Sequence, residues 1–100
     1  MLEYLKKLMW EELEGAKEYI KLALEFKATY PEWGKMFVDM SAAELAHAGH
    51  IYKMAEQSYK ETITAYKEPP KWVTDMWECI VDKYTDCSAK VKYMHEMYTK

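Results

Sequence analysis

The chain has 100 residues, half of them hydrophobic and 31% charged, with a net charge of −3. That is enough apolar material for one compact domain, too little net charge for a disordered tail, and no basic face of the kind a nucleic-acid binder needs. No apolar run approaches the ~18 residues of a membrane span, and three prolines gathered at two breaks suit long helices with short connections.

The first helix is predicted over about 2–29. Its opening, MLEYLKKLMWEELE, lacks an uninterrupted apolar core and a small-residue cleavage site, so it does not read as a signal peptide. Alternating steps of three and four residues keep to one helix face, and here they visit Leu5, Met9, Glu12, Ala16, Tyr19, Ala23 and Phe26. Glu11, Glu14, Glu18 and Glu25 fall on the opposite, lysine-bearing face and read as solvated charges. Glu12 differs, because its neighbours along the seam are Met9 and Ala16. A buried carboxylate without a partner is expensive, so Glu12 needs a proton, a hydrogen-bond partner or a cation.

A second helix is predicted over about 31–64, opened by the TYPEWG break with Pro31 in its first turn. Its seam reads Trp33, Phe37, Met40, Glu44, His47, Ile51, Met54 and Ser58. The polar pair lies within AAELAHAGH, a stretch of small side chains. The short turn makes helices 1 and 2 antiparallel. Glu12 and Glu44 lie at similar distances either side of it, so Glu12, Glu44 and His47 are expected to converge and point inward. Ala16, Ala43, Ala46, Ala48 and Gly49 would leave room around them. Gly49 in mid-helix costs about 1 kcal/mol relative to Ala, which points to close approach of another helix or of a bound group. His50, one turn past His47, is a spare ligand, a proton carrier or an exposed side chain.

The third helix, about 71–98, follows AYKEPPKW, where Pro69-Pro70 disfavours helix in the residues before it. Its seam of Val73, Trp77, Ile80, Tyr84, Cys87, Val91, Met94 and Tyr98 carries no acid. Asp75, Glu78, Asp82 and Asp86 form a polar ridge and read as a solvated face with acids toward the helix N-terminus; His95 also reads as surface. Cys79 and Cys87 are separated by about 12 Å at 1.5 Å rise per residue, too far for a bridge. They suit a reducing, cytoplasmic setting. Tyr4, Trp10, Met36, Tyr52, Tyr59, Trp72, Met76, Tyr93 and Met97 fall outside the main seams, a surplus that points to subunit contacts.

Two carboxylates and an imidazole on bundle helices suit a divalent first-row metal. The same three residues also satisfy a structural triad in which a protonated His47 bridges two carboxylates.

Glu44-Leu45-Ala46-His47 resembles the Glu-x-x-His motif of the ferritin-like di-iron carboxylate proteins, and Glu12 resembles their first-helix glutamate. Met9-Trp10-Glu11-Glu12-Leu13-Glu14-Gly15-Ala16 is similar to the first helix of encapsulated ferritins, and Glu12, Tyr19 and Ala23 keep the spacing of rubrerythrins. The resemblance covers roughly residues 8–58. It implies an all-α ferritin-like antiparallel hairpin with a third long helix, and iron held by Glu12, Glu44 and His47, with manganese as the alternative metal. It further implies a ligand neighbour in Tyr19 and an acidic path for arriving cations at Glu11 and Glu14.

Full-length chains of that superfamily use four helices with two Glu-x-x-His motifs and two more glutamates, twice what is present here. Two-fold symmetry supplies the missing half, since a C2 interface brings the same patch from each subunit together. The expected unit is therefore a homodimer or higher homo-oligomer with a shared four-helix core and a di-iron ferroxidase or iron-handling function. A dimer has no interior volume, so storage would need a larger shell or an enclosing compartment, and no compartment-targeting extension is recognised up to Lys100. The competing expectation is a non-catalytic helical assembly module that keeps the triad, or a structural metal, to set helix register. Alternating lysines and acids on the outer faces disfavour a membrane-surface role.

Overall fold

The computed structural model describes residues 1–100 as three helices, α1 (Leu2–Phe26), α2 (Pro31–Ala65) and α3 (Lys71–Thr99), with no strands. Pro31 sits in the first turn of α2, where its missing N–H is not needed. The residue before it, Tyr30, is held outside the helical region at φ −138° and ψ 74°, as the proline ring requires. α1 therefore ends at Phe26, earlier than the periodicity suggests. Across the reversal Tyr30 N–H donates to Phe26 O at 2.8 Å and Gly34 N–H to Tyr30 O at 3.0 Å. Pro69-Pro70 separates α2 from α3, and Pro70 O accepts from Val73 N–H at 3.0 Å.

α1 and α2 form an antiparallel hairpin, and α3 returns parallel to α1 and packs more on α1 than on α2. The bundle measures 57 × 17 × 15 Å with a radius of gyration of 16.2 Å, against about 13 Å for a compact chain of this length. Its core is correspondingly thin. α1 contributes Leu2, Leu5, Met9, Leu13, Ala16, Ile20 and Ala23, and α3 contributes Val73, Ile80, Cys87 and Val91. The α3 residues all lie on the seam read from periodicity, and so do Leu5, Met9, Ala16 and Ala23 of α1, but Leu13 and Ile20 take the core places expected of Glu12 and Tyr19, which are only half-buried. Each fully buried aliphatic side chain contributes roughly 1.5–3 kcal/mol.

α2 departs from its predicted seam. Its buried positions are Gly34, Ser41, Ala48 and Ala55, spaced by heptads, while Trp33, Met40, His47 and Met54 are exposed. Small side chains let α1 and α2 approach closely, and the bulky apolar residues rotate to the edge of the interface, where α3 does not reach. Hydropathy favours the large residues as core; backbone proximity favours the small ones, and here proximity prevails.

His95 is also not a surface residue. It is half-buried, with Nε2 2.9 Å from Ser41 Oγ, and that hydroxyl donates to Ala16 O at 2.6 Å. One buried serine thus links all three helices. With the hydroxyl proton committed to Ala16, the imidazole N–H is the donor to Ser41, and burial holds the His95 pKa below its ordinary value. α3 is further tied to α1 by Lys83–Glu14 at 2.8 Å and by Lys27 donating to Tyr98 O. Trp10, Tyr52, Tyr59 and Met76, placed outside the seams by sequence, pack against the core. Tyr4, Met36, Trp72, Tyr93 and Met97 remain exposed. No helix is long and apolar enough to cross a membrane.

Candidate metal centre

The antiparallel register brings Glu12 of α1 level with Glu44 and His47 of α2. One ligand atom from each lies within 4.8 Å of the other two. A divalent first-row ion bound at roughly 2.0–2.2 Å holds donor pairs up to about 4.4 Å apart, so the cluster is near the span of one cation. His47 Nδ1 is 3.6 Å from Glu12 Oε2 and 3.9 Å from Glu44 Oε1. Both are too long for hydrogen bonds but within ion-pair reach, so a protonated His47 would bridge the two carboxylates in the metal-free chain.

The electrostatics of the cluster are unsatisfied. Glu12 Oε2 is shielded from solvent and has no hydrogen-bond partner. Glu44 is held above its ordinary pKa, first by a hydrogen bond with Glu12, then by burial and by the negative charge of Glu12; His47 acts in the opposite sense. Two carboxyl groups crowded together, with one buried oxygen unpartnered, fit a cation placed between them. The donor set of carboxylates and imidazole suits iron or manganese.

The cluster does not point into the three-helix core. The His47 side chain is 56% exposed, and those of Glu12 and Glu44 are 27% and 30% exposed. The inward-pointing expectation is thus corrected: the trio sits on the open α1–α2 face, because α3 packs on the other side of the hairpin. On α2 it is flanked by the exposed Met36, Met40 and Met54.

Gly15 is the residue the sequence reading overlooked. A Cβ there would lie 2.6 Å from Glu44 Oε2, so glycine makes the space that the carboxylate occupies. The clue was a mid-helix glycine one turn past Glu12. At Gly49, where the same clue was used, the added Cβ would instead be 3.2 Å from the Tyr84 hydroxyl, so the close neighbour is α3. Ala16 and Ala48 lie in the α1–α2 seam and Ala43 is exposed, while Ala46 lines an α2–α3 groove.

The remaining singled-out residues stand apart from the trio. Tyr19 stacks on Phe37 at 6.2 Å and makes no side-chain hydrogen bond. His50 and Glu11 are exposed. Glu14 is tethered to Lys83, whose hydrogen bond lowers its pKa. Asp75, Glu78, Asp82 and Asp86 of α3 are exposed, and none joins the cluster.

An antiparallel hairpin carrying one glutamate on the first helix and Glu-x-x-His on the second defines a carboxylate-bundle protein of the ferritin-like class. The chain belongs to the rubrerythrin family, whose model matches residues 3–100. No curated protein and no solved structure matches the chain.

Proposed function

We propose that the chain is an iron-handling protein of ferroxidase type whose metal centre is shared between two copies. The observation that carries this reading is half a ligand set on an open apolar face. Glu12, Glu44 and His47 supply three donors where a di-metal carboxylate site uses about six. A two-fold axis beside the cluster would present four carboxylates and two imidazoles. It would also cover Met36, Met40, Met54 and Trp33, each at least 41% exposed in the single chain. Trp33, Met36, Phe37 and Met40 line a groove of about 240 Å3 on this face, an apolar site for the partner's side chains.

Iron held there by Glu12, Glu44 and His47 would supply one-electron oxidation from ferrous to ferric with dioxygen or peroxide as acceptor. The protein's part is positional and electrostatic. Glu12 and Glu44 concentrate negative charge, which favours the more highly charged product. An incoming cation would displace the Glu44 proton to solvent, and His47 would approach from the exposed side. Burial of the face by a partner would strengthen all of these interactions by excluding water.

Metal analysis combined with light scattering on one sample tests the reading. Dimers carrying about one iron per chain are expected, with metal lost on dilution to monomer and association strengthened by metal through linkage. Glu12→Ala and His47→Ala should empty the site, while Glu18→Ala should not. A monomer holding two metals per chain would refute the shared site. Ferrous oxidation equal in wild type and Glu44→Ala would remove the catalytic reading in favour of a structural assembly role.

A further inference from the structure

Four oxidisable rings form a continuous stack along the α2–α3 seam. Tyr84 lies on Tyr52 with centroids 4.3 Å apart and planes 14° from parallel. Tyr52 faces Trp77 at 5.6 Å and 25°, and Trp77 faces Tyr59 at 5.0 Å and 9°. All four are half-buried. The positions of Tyr52 and Tyr59 on α2 carry the stack about 10 Å along the bundle at 1.5 Å per residue.

The Tyr84 end of the stack lies across α2 from the metal centre. The Tyr84 hydroxyl rests against Gly49, two residues past His47 and on the opposite side of α2. The phenol and the imidazole are therefore separated by one helix, roughly 10–12 Å across with its side chains. That is a distance electrons cross readily through hydrogen-bonded backbone. The aromatic cluster toward the α1–α2 turn is different: Tyr19 stacks on Phe37 and Phe37 on Phe26, and these two phenylalanines, which do not give up electrons to biological oxidants, interrupt the path between Tyr19 and the stacked Tyr30 and Trp33.

We infer that Tyr84, Tyr52, Trp77 and Tyr59 form a one-electron relay that supplies reducing equivalents to an oxidant at the Glu12–Glu44–His47 centre when too little iron is bound there. This rests on the ferroxidase reading. Peroxide takes two electrons when its O–O bond breaks, and a single ferrous ion gives only one. Tyr84 gives the second and releases its phenolic proton. One ferrous ion, one peroxide, two solvent protons and the Tyr84 phenol thereby become one ferric ion, two waters, a Tyr84 phenoxyl radical and one proton. That proton leaves through a groove of about 470 Å3 between α2 and α3, which Tyr84 shares with His95. Tyr52, Trp77 and Tyr59 then reduce their neighbours in turn, each phenoxyl taking up a proton from solvent as it is reduced and each phenol releasing one as it is oxidised. The electron vacancy moves to Tyr59, where a soluble one-electron reductant of the thiol or ascorbate class fills it. The Tyr52 pKa is raised, chiefly by burial, so this phenol is protonated when it is called on to donate.

Freeze-quenched electron paramagnetic resonance on the 100-residue chain tests the relay. The protein is loaded with one ferrous ion per expected di-iron centre and mixed with hydrogen peroxide, and ferric absorbance is followed in parallel. Wild type should give an organic radical, Tyr84→Phe should lose it, and Tyr93→Phe, which removes an exposed tyrosine away from the stack, should keep it. Trp77→Phe should retain a tyrosyl signal that ascorbate discharges more slowly than in wild type, an effect that altered packing alone would not produce. Far-ultraviolet circular dichroism establishes that each variant is folded. Iron oxidation with no radical, or with a radical indifferent to Tyr84→Phe, would overturn the relay and leave the ferroxidase reading standing. Absence of iron oxidation in wild type would overturn both.

Discussion

Gly15→Ala separates fold from site in one substitution. Alanine in a helix interior is favoured over glycine by about 0.8–1.0 kcal/mol, and the backbone at Gly15 is ordinary helix. Opposing this gain is a clash: the new methyl carbon would stand 2.6 Å from Glu44 Oε2, far inside van der Waals contact. The obstructing atom is the tip of a flexible side chain, so it yields by a rotamer shift of roughly 0.5–1.5 kcal/mol. The two effects nearly cancel, and moving Glu44 away from Glu12 also relieves their repulsion. Stability without metal should therefore stay within about 1 kcal/mol of wild type. For a chain of this size that is a change in midpoint of no more than about 4–8 °C. Metal binding should suffer far more, because a displaced ligand cannot reach the cation that Glu12 and His47 hold. Loss of ligand positioning elsewhere costs roughly 10–100-fold in affinity. Thermal unfolding with and without added metal, beside calorimetric titration of manganese as a redox-silent probe, measures both quantities. A Gly15→Ala chain that binds metal as tightly as wild type would refute the claim that this glycine makes room for the ligand.

Two pH effects of opposite sign follow from the groups whose pKa values are displaced. Glu44 is raised above its ordinary 4.5 in the folded state, so the folded metal-free chain binds the extra proton. Its stability should fall as pH rises from that value through the raised one. Glu44→Gln should flatten this dependence, and apparent metal affinity in wild type should increase over the same interval as the Glu44 proton is displaced; a pH-independent affinity would contradict a raised Glu44 pKa. His95 is lowered from its ordinary 6.5 by burial, so stability is complete above that value and should be lost as pH falls through the folded one. His95→Gln should remove that loss in acid denaturation curves. Ser41→Ala, which leaves the imidazole N–H unpaired, should cost about 1 kcal/mol, the lower end of the range for an unsatisfied donor, because half-exposed His95 can recruit water.

Much of the architecture was legible in the one-dimensional pattern. Pro31 and Pro69-Pro70 place the breaks through local stereochemistry that no tertiary contact can override. The seam of α3 is apolar at helical spacing and is core as read, whereas that of α1 is rotated by one position, so that Leu13 and Ile20 are buried in place of Glu12 and Tyr19. Glu12 stood out because it interrupts such a seam, and Glu44 and His47 because equal distances from a tight turn imply equal heights. The α2 face was misjudged because burial there is decided by how near two backbones can come. That distance depends on Gly34, Ser41, Ala48 and Ala55 fitting against α1 together. His95 was placed at the surface for a related reason: its partner, Ser41, is on another helix, and neither residue alone signals the bond.

The sequence by itself therefore determined three helices, their order and the three side chains that converge, since each follows from periodicity and chain connectivity. Only the tertiary structure decided that the cluster faces outward, that Gly15 makes room for Glu44, and that four Tyr and Trp rings line up along the α2–α3 seam. Those outcomes depend on the rotation of each helix about its own axis, which is set when all the interfaces pack at once.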